Sequence, residues 1–134
     1  MPLVRIDLRE GKSKEYRVAV GAAVHRAMVE ILGVPARDHF QVITEHSPEN
    51  LIYDPNYLDI PRTDDVIFIQ VFLSSGRTRE IKQSFYKRTS ELLHEKPGVR
   101  LQDVAINLIA NEREDWLFGN GEAQYVVLPK EQWK

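Results

Sequence analysis

The sequence predicts a two-layer α+β domain: a four-stranded mixed sheet with two helices on one face, built from two copies of a β-α-β unit. The first observation behind this is an internal repeat at a constant offset of 65 residues. Gly11-Lys12-Ser13-Lys14-Glu15 falls on Gly76-Arg77-Thr78-Arg79-Glu80, Gly33-Val34 on Gly98-Val99, and Asp38 on Asp103. Leu8 falls on Leu73, and Leu3, Val4 and Ile6 fall on Phe68, Ile69 and Val71. Such self-similarity at one period is the mark of a duplicated supersecondary unit. The second observation is that each copy changes from β-branched runs to helical periodicity and back within about 45 residues. A strand–helix–strand unit that short makes a parallel pair with a right-handed crossover.

The elements follow in order. Residues 2–8 (PLVRIDL) read as a strand. Ser13 is a good N-cap with Glu15 in the first turn, and a helix follows over Lys14–Leu32. Val20, Val24, Ala27, Met28 and Ile31 share one face of it, and Gly33 stops it. Residues 39–45 form the second strand, with Phe40, Val42 and Thr44 alternating against Gln41 and Ile43. Residues 47–65, rich in Pro, Asn and Asp, read as an irregular connection. The second unit repeats the plan: strand 66–74, N-cap Thr78, helix Arg79–Glu95, a stop at Pro97-Gly98, and strand 104–110. Unit one thus spans about 2–46 and unit two about 66–111, within one domain. Residues 112–134 form a tail, in which Gly119-Asn120-Gly121 signals a turn and residues 125–128 a short strand, so a hairpin is expected there. Residues 66–73 (VIFIQVFL) are apolar at nearly every position, which requires both faces of the sheet to be covered. The helices cover one; self-association is the simplest cover for the other.

The composition narrows the function. The chain has 134 residues, 43% apolar, enough for one core. A net charge of −2 and a pI near 6.1, with no basic run, argue against a nucleic-acid surface. The absence of cysteine excludes disulfides and thiolate chemistry. No N-terminal stretch reads as a signal peptide, and no run approaches the roughly 18 apolar residues of a membrane span. The expectation is a cytoplasmic protein with neither a nucleic-acid nor a membrane partner. His25 and His46 lack ligand spacing, so no metal is expected, and no phosphate-loop, dinucleotide or serine-nucleophile motif is present.

The candidate chemistry begins at Pro2. A small residue behind Met1 allows removal of Met1, which frees a secondary amine. An α-amino group titrates near pH ~7.7–8.0 and so serves as base or acid near neutrality. The alternative is a proline merely tolerated at the start of an edge strand. Within one unit the loops after the strands lie away from Pro2, so its partners come from other loops or another subunit. Arg77 and Arg79 stand at the start of the second helix, suited to clamp a carboxylate or simply solvated. Asp38 is placed to orient a water or hold a charged Pro2, although its repeat mate Asp103 reads equally as a turn residue. Trp116 and Phe118 flank a polar turn, either as a pocket wall or as core.

Taken together these features resemble the tautomerase superfamily, and within it the malonate semialdehyde decarboxylase group. The resemblance is carried by Pro2-Leu3, Asp7-Leu8, Glu10-Gly11, Ala27-Met28-Val29-Glu30, Gly33-Val34-Pro35-Ala36 and Asp38. Phe85-Tyr86-Lys87, Asp115-Trp116, Phe118-Gly119 and Gly121 extend it along nearly the whole chain. It implies a homotrimer of duplicated units and a cofactor-free enzyme on small oxo-acids. Pro2 matches the catalytic proline, Asp38 the aspartate that tunes it or polarises water, and Arg77 the second of two substrate-binding arginines. Trp116, Phe118 and Tyr125 match the aromatic wall, with tyrosine in place of phenylalanine. Ser75 stands where the first arginine is expected. With one arginine left, decarboxylase-like and keto–enol tautomerase chemistry both remain open. The alternative is a trimeric protein of this fold with a vestigial site and a binding role.

Overall fold

The computed structural model describes residues 2–133. The two repeat-related caps start the helices. The Ser13 hydroxyl accepts from the Tyr16 N–H at 3.1 Å and begins α1 (Lys14–Leu32); the Thr78 hydroxyl accepts from the Ile81 N–H at 3.2 Å and begins α2 (Arg79–Glu95). Each satisfies one backbone donor that the first turn leaves without a partner. Gly33 ends α1 in the left-handed region (φ 70°), where a side chain would be strained, and its N–H donates to the Met28 carbonyl.

The strands are β1 (Leu3–Arg9), β2 (Gln41–His46), β3 (Ile67–Ser74) and β4 (Val104–Asn111), in the order β2-β1-β3-β4. Within each unit the pair is parallel, β1 with β2 and β3 with β4; the units join through antiparallel β1 and β3, with Leu3 opposite Phe72 and Ile6 opposite Ile69. The mixed sheet and the two helices are therefore as expected. Val4, Ile6 and Leu8 of β1 and Ile67, Ile69, Val71 and Leu73 of β3 point under the helices and meet Val20, Val24, Ala27, Met28, Phe85 and Leu93. Fully burying an apolar side chain of this size contributes about 1.5–3 kcal/mol.

The other sheet face is only half covered in a single chain. Leu3, Phe68 and Phe72 are partly buried there, while Phe40 and Val42 are 48% and 40% exposed. The expected hairpin strand in the tail does not form. Residues 124–127 make one helical turn, α3 (Gln124–Val127), and the Gly119-Asn120-Gly121 turn yields only an isolated bridge between Gly119 and Glu122. The reason is local. The Gln124 amide accepts from the Phe118 N–H and donates to the Gly119 carbonyl, which winds the chain back on itself before a strand can find an edge. Lys134, the last residue assigned to the tail, lies outside the described residues. No helix among the described residues is long and apolar enough to cross a membrane.

Candidate active site

Pro2 is buried and precedes β1 by one residue. The Val4 N–H donates to the Phe40 carbonyl at 3.0 Å, which pins the start of β1 beside the 38–40 segment. The antiparallel register continues from Leu3↔Phe72, bringing Pro2 level with the end of β3, where the Ser74–Arg77 loop departs. The parallel pairing of β1 with β2 thus keeps Asp38 at the Pro2 end of the sheet, and the antiparallel pairing with β3 brings Arg77 there within one chain. Met1, whose removal the Pro2 amine requires, lies outside the described residues.

A cavity of about 860 Å³ opens at this end, lined by Gly33, Val34, Pro35, Asp38, Ser75, Arg77, Glu112, Arg113, Tyr125 and Trp133 among others. A smaller one of about 270 Å³ adjoins it, sharing Pro35, Asp38, Tyr125 and Trp133 and adding Phe40 and Phe118.

Arg77 is fixed by main-chain oxygens. Its guanidinium donates to the Ser74 carbonyl at 3.1 Å and to the Leu32 carbonyl at 3.2 Å. Leu32 is the last residue of α1, where the free carbonyls and the negative end of the helix dipole favour a cation. Burial lowers the guanidinium's pKa from its ordinary high value, yet it stays charged at neutral pH. No acid among the described residues pairs with it, so its charge faces the cavity. Arg79, by contrast, is exposed and outside the cavity. Burial pushes the Asp38 carboxyl up from the usual carboxylate range.

The aromatic wall forms largely as expected. Trp116 stacks on Phe118 at 5.5 Å, and Phe118 meets Tyr125 edge-on at 4.9 Å. Tyr125 lines both cavities, and burial pushes its phenol up to about 12. Phe118 lines the smaller cavity. Trp116 lines neither; it backs Phe118 and donates its indole N–H to Asn111 at 2.8 Å. Ser75 lines the cavity without supplying charge, since its hydroxyl donates to Glu112 at 2.8 Å.

Sequence reasoning missed Glu112, Arg113 and Trp133. Trp133 packs on Tyr125 at 4.7 Å, and the Arg113 guanidinium lies over the Trp133 ring at 4.8 Å. No repeat or motif marks these residues, because they sit in loops beyond the second unit.

At the repeat-related end of the sheet the matching residues are spent on internal contacts. Asp103, the mate of Asp38, is fully buried and accepts from the Thr63 N–H at 2.7 Å and the Thr63 hydroxyl at 2.6 Å. Lys12, the mate of Arg77, is neutralised by Asp65 at 2.6 Å. Thr63 and Asp65 of the connection thus engage both residues. Among the described residues no group of three or more His, Asp or Glu side chains is placed to hold a metal ion. A groove of about 480 Å³ also lies between α1 and α2, lined by Val18, Ala22, Leu92 and the stems of Lys14 and Arg26, far from Pro2.

Two family models, both described as tautomerase enzyme, match residues 38–119 and 2–59. The chain is 41% identical to the probable tautomerase YusQ of Bacillus subtilis (strain 168) over 126 residues, 94% of this chain and 99% of that protein. It is 33% identical to the probable tautomerase YrdN of the same organism, over 95% of this chain and 98% of that protein. Among solved structures, FG41 malonate semialdehyde decarboxylase inhibited by 3-bromopropiolate superposes with a TM-score of 0.88 at 44% identity, covering 92% of this chain and 94% of that one. A fused 4-OT asymmetric trimer at 22% identity and a TM-score of 0.74, over 92% of this chain and 98% of that one, shares the fold. With two family models that together run from Pro2 to Gly119 and curated relatives alike over almost their whole length, the chain belongs to the tautomerase family of enzymes.

Proposed function

We propose that this protein is a cofactor-free enzyme that uses the amino group of Pro2 on small oxo-acids, by malonate semialdehyde decarboxylase-like or keto–enol tautomerase chemistry. The observation that carries the reading is the junction of the two units. Asp38 and the acid-free Arg77 line one cavity at the end of the sheet where β1 starts. The likeness to a malonate semialdehyde decarboxylase at 44% identity supports the substrate class.

The roles follow from the groups. Arg77 binds the substrate carboxylate, its fork suited to two oxygens. In the tautomerase reaction the neutral Pro2 amine takes a proton from the carbon beside the carbonyl and returns it at the other end of the enolate. In decarboxylation the protonated Pro2 stabilises the carbonyl oxygen as charge develops there. The carbon–carbon bond electrons pass into the enolate, carbon dioxide leaves, and the enolate carbon takes up a proton. Asp38 beside a charged Pro2 favours the second route. Ser75, which brings no charge, leaves Arg77 as the anchor at the inner end. A homotrimer is part of the proposal. It covers the half-open sheet face with its exposed Phe40 and Val42, and fused 4-OT relatives of this fold form trimers.

The test uses protein whose intact mass shows Met1 removed, with malonate semialdehyde followed by proton NMR. Enzyme-dependent acetaldehyde, abolished by Pro2→Ala, is the expected decarboxylase result. Turnover unaffected by Pro2→Ala would sink the reading. Pro2-dependent enolisation of an oxo-acid without acetaldehyde assigns tautomerase chemistry alone.

A further inference from the structure

We propose that Arg113 is a second substrate-binding cation, placed on the anionic end of the oxo-acid opposite Arg77 by its stacking on Trp133. The proposal rests on the oxo-acid reading above and extends it to a residue that matches no arginine of the family pattern.

Three observations carry it. First, Arg113 and Arg77 line the same cavity from different loops, Arg77 after β3 and Arg113 after β4. Second, neither is neutralised. Among the described residues no acid pairs with Arg77 or Arg113, nor with Lys130 on the same cavity. The nearby Glu112 is already engaged: its carboxylate accepts from the Ser75 hydroxyl and from the Asp115 N–H. Third, Arg113 is held. Its guanidinium lies over the Trp133 ring at 4.8 Å, and that ring packs on Tyr125 at 4.7 Å. Stacking leaves the guanidinium edge, which carries its donors, free to meet a carboxylate. Tyr125 lines the same cavity as both arginines.

The physical consequence concerns Ser75. A pocket with one fixed guanidinium holds a carboxylate but leaves its orientation loose. A second one across the cavity restores two-point binding without an arginine at position 75. Ser75 instead donates to Glu112, the acid that precedes Arg113 in the chain.

The experiment compares Arg113→Gln and Arg113→Lys with the unaltered protein, using malonate as an inert anion and malonamide as its neutral counterpart. Calorimetry reads binding, and malonate semialdehyde turnover reads KM and kcat. Loss of a charge-assisted contact predicts about 10- to 100-fold weaker malonate binding by R113Q and a similar rise in KM, with kcat within about threefold. Malonamide binding and the melting temperature stay unchanged, and R113K recovers part of the malonate affinity. Unchanged malonate affinity, or equal loss of malonate and malonamide, overturns the proposal. The binding arm does not depend on chemistry. If Pro2→Ala leaves turnover intact while R113Q loses malonate, the anion site stands and the catalytic reading falls.

Discussion

Asp38 and Asp103 occupy equivalent positions in the two units, yet the structure gives them opposite work, and exchanging each in turn separates the two. Asp103 is 0% exposed, and its two oxygens accept from the Thr63 N–H at 2.7 Å and the Thr63 hydroxyl at 2.6 Å. Arg100 stands 3.6 Å away with its side chain 42% exposed, so its ion pair adds little. Hydrogen bonds to a charged group are worth about 1.5–3 kcal/mol each, and two are lost together. Asp103→Ala is therefore expected to destabilise by about 3–5 kcal/mol. For a domain of this length that is a fall in melting temperature of roughly 10–20 °C. Asp38 lines an open cavity, and burial disfavours its charged form. Asp38→Asn is expected to change stability by less than about 1 kcal/mol, within the range of substitutions outside a buried network, and to reduce turnover. Circular-dichroism melts at one fixed protomer concentration read the stabilities, because assembly makes the midpoint concentration-dependent. Malonate semialdehyde turnover reads the activity. If Asp103→Ala destabilises no more than Asp38→Asn, the claim that Asp103 anchors the connection to the sheet is wrong.

Two further predictions are independent of that one. A Cβ added at Gly21 would lie 2.5 Å from Gln41 Oε1, the far end of a flexible side chain whose amide donates to the Gly21 carbonyl at 2.8 Å. Gly21→Ala gains about 1 kcal/mol of helix propensity and loses about 1 kcal/mol with that hydrogen bond. It should be nearly neutral alone and stabilising by about 1 kcal/mol in a Gln41→Ala background; equal effects in both backgrounds in a double-mutant cycle would refute the contact. The Tyr125 phenol is pushed up from 10.0 to about 12, mainly by burial, so folding favours its neutral form. That stability is present in full below pH 10 and is lost as pH rises toward 12. Spectrophotometric titration should show a late tyrosinate step near pH 12 that Tyr125→Phe removes; its persistence in the variant would assign the step elsewhere.

Much of the fold was legible because its signals are local. Ser13 and Thr78 announce helix starts through chemistry confined to one turn, and α1 and α2 begin and end where caps and stops place them. Asp38 at a strand start and Arg77 at a helix start were candidates by position and by family resemblance, and both line the cavity. The tail misled for a local reason as well: residues 125–127 have strand-forming side chains, but the Gln124 amide bonds on both sides of the Gly119 turn draw them into α3.

The sequence by itself determined the two units, their caps and the apolar stripes that join sheet to helices, and it offered a proline, an aspartate and an arginine as candidates. Only the tertiary structure decided that the antiparallel junction of the mixed sheet falls between β1 and β3, which brings the loop after β3 to the start of β1. It alone decided that Thr63 and Asp65 engage Asp103 and Lys12 while Asp38 and Arg77 line a cavity, and that Arg113 and Trp133 join that cavity. The physical reason is distance along the chain. Caps and periodicity act over a few residues, whereas the pairing of strands 60 or more residues apart, as in Leu3 with Phe72, is settled by burial of the whole sheet at once.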